Sequence, residues 1–277
     1  MNGLILIDKP AGMTSNKVTE LVRTLIRVKK AAHAGTLDPD ATGVLPIVFG
    51  KGIKLLQYMQ EYDKEYLCEM CLHRAVDKQS FSKILTDFTG KIIQTPPEIS
   101  AVAKKPRIRK IESITITKFS QDDASAEASL KIKCQHGTYI RTLVEDIGRV
   151  LGCETEMLSL RRTRAGPFEE KQCISLEKLE KSSALGEEGQ FVLPLALAVP
   201  HFGSVTVRDS AVENISKGSP VYASGVLKYS GRIRESELVA VFDKNGRLIA
   251  VGVAAGGKNE LEDLPAGIVI KTEKVLI

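Results

Sequence analysis

Apolar positions in this chain recur with two periods, and the switches between them outline its elements. Gly3-Leu4-Ile5-Leu6-Ile7 is a short apolar run ended by Asp8-Lys9-Pro10, which predicts a buried strand and then a turn. From about Asn16 to Val28, residues Val18, Leu21, Val22, Leu25 and Ile26 recur with helical spacing, and Ser15 stands at the capping position. Ala34 to Gly43 reads as a loop, Gly52 to Met59 as a helix, Lys64 to His73 as a strand and Asp77 to Phe88 as a helix. Strands over Ile111–Phe119 and Ala126–Cys134 frame the polar turn Gln121-Asp122-Asp123, the first alternating as a half-solvated sheet does. A helix over Ile140–Leu151 and a strand near Met157–Arg162 follow. Hairpin strands with interspersed helices predict an α+β fold on a mixed, mainly antiparallel sheet with flanking helices.

The pattern changes near residue 200. Ser182–Gly189 is polar, and Val199-Pro200-His201-Phe202-Gly203 reads as a linker. Beyond Ser204 come short β segments at Leu238–Phe242, Leu248–Ala255 and Ile268–Val275, with the hairpin signal Asn245-Gly246 between the first two. The expected division is a larger domain over 1–200 and a small β-rich domain over 201–277.

Composition narrows the class. At 43% hydrophobic and 26% charged, the chain reads as an ordinary globular protein. No apolar run approaches the ~20 residues that cross a bilayer. The first residues lack the pattern of a secretory leader, because Asp8 and Lys9 interrupt the apolar stretch, so a cytoplasmic location without membrane association is expected. The five cysteines are expected as reduced, half-buried thiols. Cys68 and Cys71 have CxxC spacing but sit in the strand pattern, with no second pair to complete a zinc site. A net charge of +5 permits nucleic acid as a partner without requiring it.

One loop concentrates candidate chemistry: Ala32-His33-Ala34-Gly35-Thr36-Leu37-Asp38-Pro39-Asp40-Ala41-Thr42-Gly43-Val44-Leu45-Pro46. Pro39 restricts Asp38 to an extended backbone, and Gly35 and Gly43 permit positive φ or close approach of a ligand. A carboxylate fixed in this way is a candidate nucleophile or base, although an Asp-Pro turn is often only a turn.

This loop resembles the signature of the TruB/dyskerin family of pseudouridine synthases. Other segments resemble the family in the same order: Asp8-Lys9-Pro10-Ala11-Gly12-Met13-Thr14-Ser15, Lys64-Glu65-Tyr66, Gly137-Thr138-Tyr139-Ile140-Arg141-Thr142-Leu143, and Leu160-Arg161-Arg162-Thr163-Arg164-Ala165-Gly166-Pro167-Phe168. The resemblance spans nearly all of residues 3–170. It implies a pseudouridine synthase fold and the isomerisation of uridine in RNA, with no cofactor and no metal. Asp38 would be the nucleophile, attacking either the ribose or the base. Arg141 would be its ion-pair partner, favouring the charged carboxylate. Tyr66 would lie against the uracil and take part in proton transfer from C5. Leu160 would wall the pocket, Lys9 would support the loop without a chemical step, and His33 would act on the RNA side, where a wedge fills the gap left by a flipped base.

The run Lys104-Lys105-Pro106-Arg107-Ile108-Arg109-Lys110 is blandly a solvated loop; by resemblance it is the thumb-like loop that closes over RNA, with Lys104, Lys105, Arg107 and Arg109 among its phosphate-binding cations. Arg161, Arg162 and Arg164 form a second basic cluster, part of it structural. The tail resembles a PUA RNA-binding domain, opening with Val207–Val212 and Ile215–Gly218.

Leu72–Asp77 passes directly into a helix, without the longer insertion of the bacterial form. Pro96–Val102 and Leu160–Phe168 also resemble dyskerin-like relatives, so the archaeal type is favoured. That implies tRNA at T-loop position 55, or rRNA chosen by an H/ACA guide RNA, with small ribonucleoprotein proteins as partners. Archaeal relatives usually carry an N-terminal extension that helps seat the PUA domain; here the first strand starts at Gly3, which leaves the docking geometry and some partner contacts open. The rival reading is a non-catalytic RNA scaffold, which would have no need for Asp38, Tyr66 and Arg141 together. A metal-dependent nuclease or deaminase would need ligands that four histidines without a His-x-Glu and paired-Cys arrangement do not supply.

Overall fold

The computed structural model describes residues 1–96 and 103–277. The first part builds one sheet from β1 (Gly3–Lys9), β2 (Ala31–His33), β3 (Thr42–Phe49), β4 (Lys64–Leu72), β5 (Gly90–Gln94), β6 (Arg107–Gln121), β7 (Ala126–Cys134), β8 (Thr155–Ala165) and β9 (Phe168–Glu169). Its strand order is β1-β3-β8-β4-β7-β6-β5, with β2 on β3 and β9 on β8. Among the described residues β3 and β8 pair in parallel, Thr42 with Arg161 and Gly43 with Arg162, while the other pairs are antiparallel. The α+β architecture read from the sequence is therefore the observed one.

Five helices accompany this sheet among the described residues: α1 (Ser15–Leu25), α2 (Leu56–Gln60), α3 (Lys78–Asp87), α4 (Ile140–Leu151) and α5 (Leu176–Ala184). Thr14, not Ser15, caps α1, accepting the Lys17 N–H at 3.1 Å. The helix stops at Leu25 rather than Val28 because Arg27 takes a left-handed backbone, φ 55°. The helix expected over Gly52–Met59 opens instead as a 3₁₀ turn over Gly50–Leu55, where two glycines weaken an α-helical start. Asp77 caps α3 through the Gln79 and Ser80 N–H groups, and Gly152 in the left-handed region ends α4.

The basic run is not a loop throughout. Arg107–Lys110 opens β6 and pairs with β5, Gln94 opposite Arg107 and Ile93 opposite Ile108. Five residues of β5 suffice to satisfy that stretch of backbone at the sheet edge, a pairing that the surrounding cations obscured in the sequence. Pro106 stands just outside the strand, where no ladder N–H is required. Of Pro96–Val102, all but Pro96 lies outside the described residues.

The tail forms a second sheet from β10 (Gly203–Val207), β11 (Val221–Tyr222), β12 (Val226–Ser230), β13 (Leu238–Phe242), β14 (Leu248–Ala254) and β15 (Ile268–Val275), with α6 (Asp209–Ser216) and α7 (Lys258–Glu262). Asn245-Gly246 makes the turn between β13 and β14, where Asp243 Oδ1 accepts the Asn245 and Arg247 N–H groups. The two sheets share a core: Leu4, Val44 and Val48 of the first pack with Ala240, Leu248, Val251 and Leu276 of the second. Tyr58 meets Phe202 edge-on at 5.4 Å, and the Tyr62 hydroxyl donates to the Ala198 carbonyl. All five cysteines are free, with Cys68 and Cys134 buried and the others half-buried.

Candidate active site

The segment between β2 and β3 has few main-chain partners, so buried side chains hold it. Lys9, at the end of β1, has no exposed surface, and its ammonium donates to the carbonyls of Pro10, Met13 and Pro39 at 2.8, 2.6 and 2.7 Å. These use all three of its protons. Burial lowers its pKa, opposed by the nearby Asp40 and Asp38 charges. The Ser15 hydroxyl, buried in the first turn of α1, grips Leu37 twice: it donates to the carbonyl at 2.9 Å and accepts the N–H at 2.8 Å. Arg162 points inward from β8 and is 1% exposed. Its guanidinium donates to the carbonyls of Val44 at 2.7 Å, Gly35 at 3.0 Å and Thr36 at 3.5 Å. Gly43 is required where β3 meets β8, because its φ is +101° and an added Cβ would lie 2.2 Å from the Arg162 carbonyl oxygen.

On this support the Asp38 carboxylate stays 37% exposed, and Arg141 Nη2 donates to its Oδ2 at 3.1 Å. Arg141 is the second residue of α4, so the pair joins a loop to a helix far along the chain. Its Nε is buried without a partner, which leaves the fork's donors at the carboxylate side to set its orientation. Leu37, Ala41, Tyr66 and Leu160 belong to one buried cluster next to this pair. Tyr66 and Leu160 are each 9% exposed. Burial raises the Tyr66 pKa, the neighbouring Arg162 charge acts against it, and the Asp38 charge adds to the rise.

The other expected site residues lie further out. His33 is half-buried, its Nδ1 3.0 Å from Thr19 Oγ1 and its Nε2 3.2 Å from Thr36 Oγ1. Burial, then the Arg162 charge, lowers its pKa and favours the neutral ring. Lys104 and Lys105 are exposed ahead of β6; Arg107 and Arg109 are half-buried within it. Arg109 is turned toward α4, its Nε donating to the Gly137 carbonyl at 3.0 Å. Arg161 reaches Asp8 through two nitrogens at 2.9 and 3.0 Å and Glu170 at 2.9 Å, tying the first strand to the end of the sheet.

Sequence reasoning gives no role in the site to Arg162, Ser15 or Gln94. Arg162 carries a signal: counting by twos along a strand from the apolar Leu160 turns Arg162 inward. Ser15 stands where a cap is expected, but one residue of register gives that duty to Thr14. Gln94 carries no local signal at all. Among the described residues no group of three or more His, Cys, Asp or Glu side chains is arranged to hold a metal.

A carboxylate beside a guanidinium above a buried tyrosine suits nucleophilic attack on an extruded nucleotide, and the comparisons with known proteins agree with that class. Residues 23–140 match the N-terminal domain of the TruB family pseudouridylate synthases, 141–199 the tRNA pseudouridylate synthase B C-terminal domain, and 203–276 the PUA domain. The chain is 36% identical over 280 residues to a protein named probable tRNA pseudouridine synthase B from Methanocaldococcus jannaschii, covering 99% of this chain and 82% of that one. A counterpart from Methanopyrus kandleri is 37% identical over 284 residues, covering 100% and 83%. Among solved structures, the fold matches a chain of a Cbf5–Nop10–Gar1 complex with a TM-score of 0.86 at 33% identity, covering 99% of this chain and 85% of that one. A chain of an H/ACA ribonucleoprotein bound to a substrate RNA containing 2′-deoxyuridine matches with the same TM-score at 31% identity, covering 99% and 85%. The chain belongs to the TruB family of pseudouridine synthases. It is an isomerase that converts uridine to pseudouridine in RNA.

Proposed function

We propose that Asp38 is the nucleophile of this isomerisation, that Arg141 holds it in place, and that Tyr66 and Leu160 receive the uracil. The observation that carries the reading is the 3.1 Å contact between Arg141 Nη2 and Asp38 Oδ2 on a carboxylate that substrate can reach. Either route, attack at the ribose C1′ or at the base, uses the carboxylate as nucleophile, and the guanidinium orients it. In both, the C1′–N1 bond breaks, the base turns, C5 bonds to C1′, the C5 proton leaves and N1 gains one. The net change is an isomerisation that consumes no cofactor. Because burial holds the Tyr66 phenol in its protonated form, taking the C5 proton requires it to release its own phenolic proton to solvent in the same step. Lys9 holds the loop, and His33 fills the stack beside the flipped base.

The RNA we assign is tRNA, at T-loop position 55, together with rRNA selected by an H/ACA guide. The first assignment follows the relatives named tRNA pseudouridine synthase B, and the second the structural neighbours crystallised with Nop10, Gar1 and substrate RNA. By the same likeness, small proteins of the Nop10 and Gar1 kind are its partners. Lys104, Lys105, Arg107 and Arg109 grip phosphates, and a PUA domain over 201–277 adds binding remote from the chemistry of 1–200. We place the enzyme in the cytoplasm, a reading that its unpaired thiols support. No described helix is long and apolar enough to cross a membrane.

The test is Asp38→Asn. It is expected to bind RNA with nearly wild-type affinity and to form pseudouridine at least about 1,000-fold more slowly; full activity in that variant overturns the assignment. Assays of tRNA transcript and rRNA fragment, each with and without guide RNA and partner proteins, separate the two substrate modes. Product from tRNA alone supports the stand-alone mode, and product only with a guide supports the ribonucleoprotein mode.

A further inference from the structure

We propose that Gln94 is a positioning residue for the reaction: its carboxamide fixes the start of α4, and through it the guanidinium of Arg141 beside Asp38. The inference rests on the reading of Asp38 and Arg141 given above. Gln94 ends β5 and is 2% exposed, unusual burial for an amide side chain. Its Nε2 donates to the Tyr139 carbonyl at 3.0 Å, and its Oε1 accepts the Tyr139 N–H at 3.0 Å. Both hydrogen-bonding groups of one peptide residue are thus held by one side chain, as a neighbouring strand would hold them.

Tyr139 is the N-cap residue of α4 and has no side-chain cap bond to the helix. Its carbonyl also accepts the Leu143 N–H at 3.1 Å, the first bond of the helix. Arg141 lies two residues on. A shift at Tyr139 therefore moves the Arg141 backbone directly.

Three further bonds from the same β5–β6 ribbon hold the turn that enters the helix. Arg109 Nε donates to the Gly137 carbonyl at 3.0 Å, Gln135 N–H donates to the Lys110 carbonyl at 2.8 Å, and Lys110 N–H donates to Gln135 Oε1 at 3.2 Å. The fit is close: Gly137 has φ +71°, and a Cβ there would come within 3.1 Å of the Arg109 guanidinium. The ribbon that carries the exposed cations thus grips the segment that delivers Arg141. Through Gln94, the placement of the RNA-facing ribbon sets the geometry of the ion pair.

The experiment is a double-mutant cycle on the full-length protein, read as the single-turnover rate of pseudouridine formation and, separately, as RNA affinity. Gln94→Ala is expected to slow the chemical step about 10-fold to 100-fold, since small misplacement of a reacting group costs that much, with RNA affinity within about 2-fold. In an Arg141→Lys background the same substitution is expected to cost less than about 2-fold, because the group it positions has gone. An equal loss in both backgrounds means that Gln94 acts only on stability and overturns the proposal, as does an unchanged rate in Gln94→Ala. Should Gln94→Ala fail to fold, the isosteric Gln94→Glu, which retains the acceptor and loses the donor, is carried through the same cycle with the same outcomes. Asp38→Asn run alongside distinguishes this failure from that of the underlying reading.

Discussion

Two sets of cations flank the site, and they do opposite work. Lys9, Lys64 and Arg162 lie beneath the Asp38 loop at 0%, 7% and 1% exposure. Lys104, Lys105, Arg107, Arg109 and Lys110 line the approach and opening of β6, exposed or half-buried. Removing a charge from water is expensive unless its donors are used, and the buried set uses them on main-chain carbonyls. Lys9 takes those of Pro10, Met13 and Pro39; Lys64 those of Gln60 and Tyr62; Arg162 those of Gly35, Thr36 and Val44. Lys9 and Arg162 thereby hold the Asp38 loop, through Pro39, Gly35 and Thr36, in place of a ladder, while Lys64 holds the turn that enters β4. The ribbon has its ladder already, and its lysines are exposed, whereas Arg109 directs its guanidinium to the Gly137 and Ile108 carbonyls. Irregular backbone is here the more tightly specified of the two, because polar satisfaction rather than regular structure fixes it.

The comparison breaks most visibly at Lys9. Lys9→Met keeps the volume and removes the donors, leaving three carbonyls without their partner. A stability loss of about 3 kcal/mol is expected in urea unfolding. In the fraction that folds, a displaced Asp38 loop is expected to slow single-turnover chemistry about 100-fold. A variant within about 1 kcal/mol and 3-fold of wild type would show that the buried cations are ornaments of the loop rather than its scaffold.

Why one set is legible in sequence and the other is not follows from range. Helix α4, strand β4 and strand β7 are readable because each carries its own period: Val144, Ile147 and Leu151 in the helix, Leu130, Ile132 and Cys134 alternating with lysines in the strand. Asp38 and Arg141 are readable only through resemblance, since their contact crosses about a hundred residues. Strand alternation from Leu160 marks Arg162 as inward-facing, but the carbonyls it meets lie more than a hundred residues away, and Lys9 reaches Pro39 across 30 residues, so these partners leave no mark in local spacing. Lys9 and Lys104 look alike in a sequence; what differs is burial, complete at Lys9, whereas Lys104 is exposed. The tail is legible by period and by the Asn245-Gly246 turn, whereas the five-residue β5 has too short a pattern to stand out.

A second contrast concerns the exposed set. Replacing Lys104 and Lys105 together by alanine is expected to leave the single-turnover rate at saturating enzyme unchanged. It should weaken RNA binding and flatten its salt dependence, the slope of log affinity against log salt falling by about 0.7 for each phosphate that is no longer neutralised. Titrations over a salt series measure this directly. An unchanged slope together with a slower chemical step would assign these lysines to the scaffold instead, erasing the distinction between the two sets.

The smallest effect tests the electrostatic cost of the buried set at Lys64. Burial, then the Arg162 charge, pushes its pKa from 10.5 down to about 8. Below about 8 both folded and unfolded chains hold the proton, and the full cost of burying the charge is present. Between about 8 and 10.5 the folded chain has released the proton while the unfolded chain keeps it. Unfolding then takes up a proton, so stability rises with pH across that window, by up to about 1.4 kcal/mol per pH unit. The neighbouring Cys134 thiol and Tyr62 phenol are pushed from 9.0 and 10.0 up to about 12, so their unfolded forms release protons within the window and slope the opposite way in both wild type and variant. Subtracting the pH dependence of Lys64→Met from that of the wild type cancels groups elsewhere, and the difference is expected to slope upward toward the wild type. Parallel curves would mean that Lys64 keeps its proton throughout, and that its bonds to Gln60 and Tyr62 fully offset its removal from water.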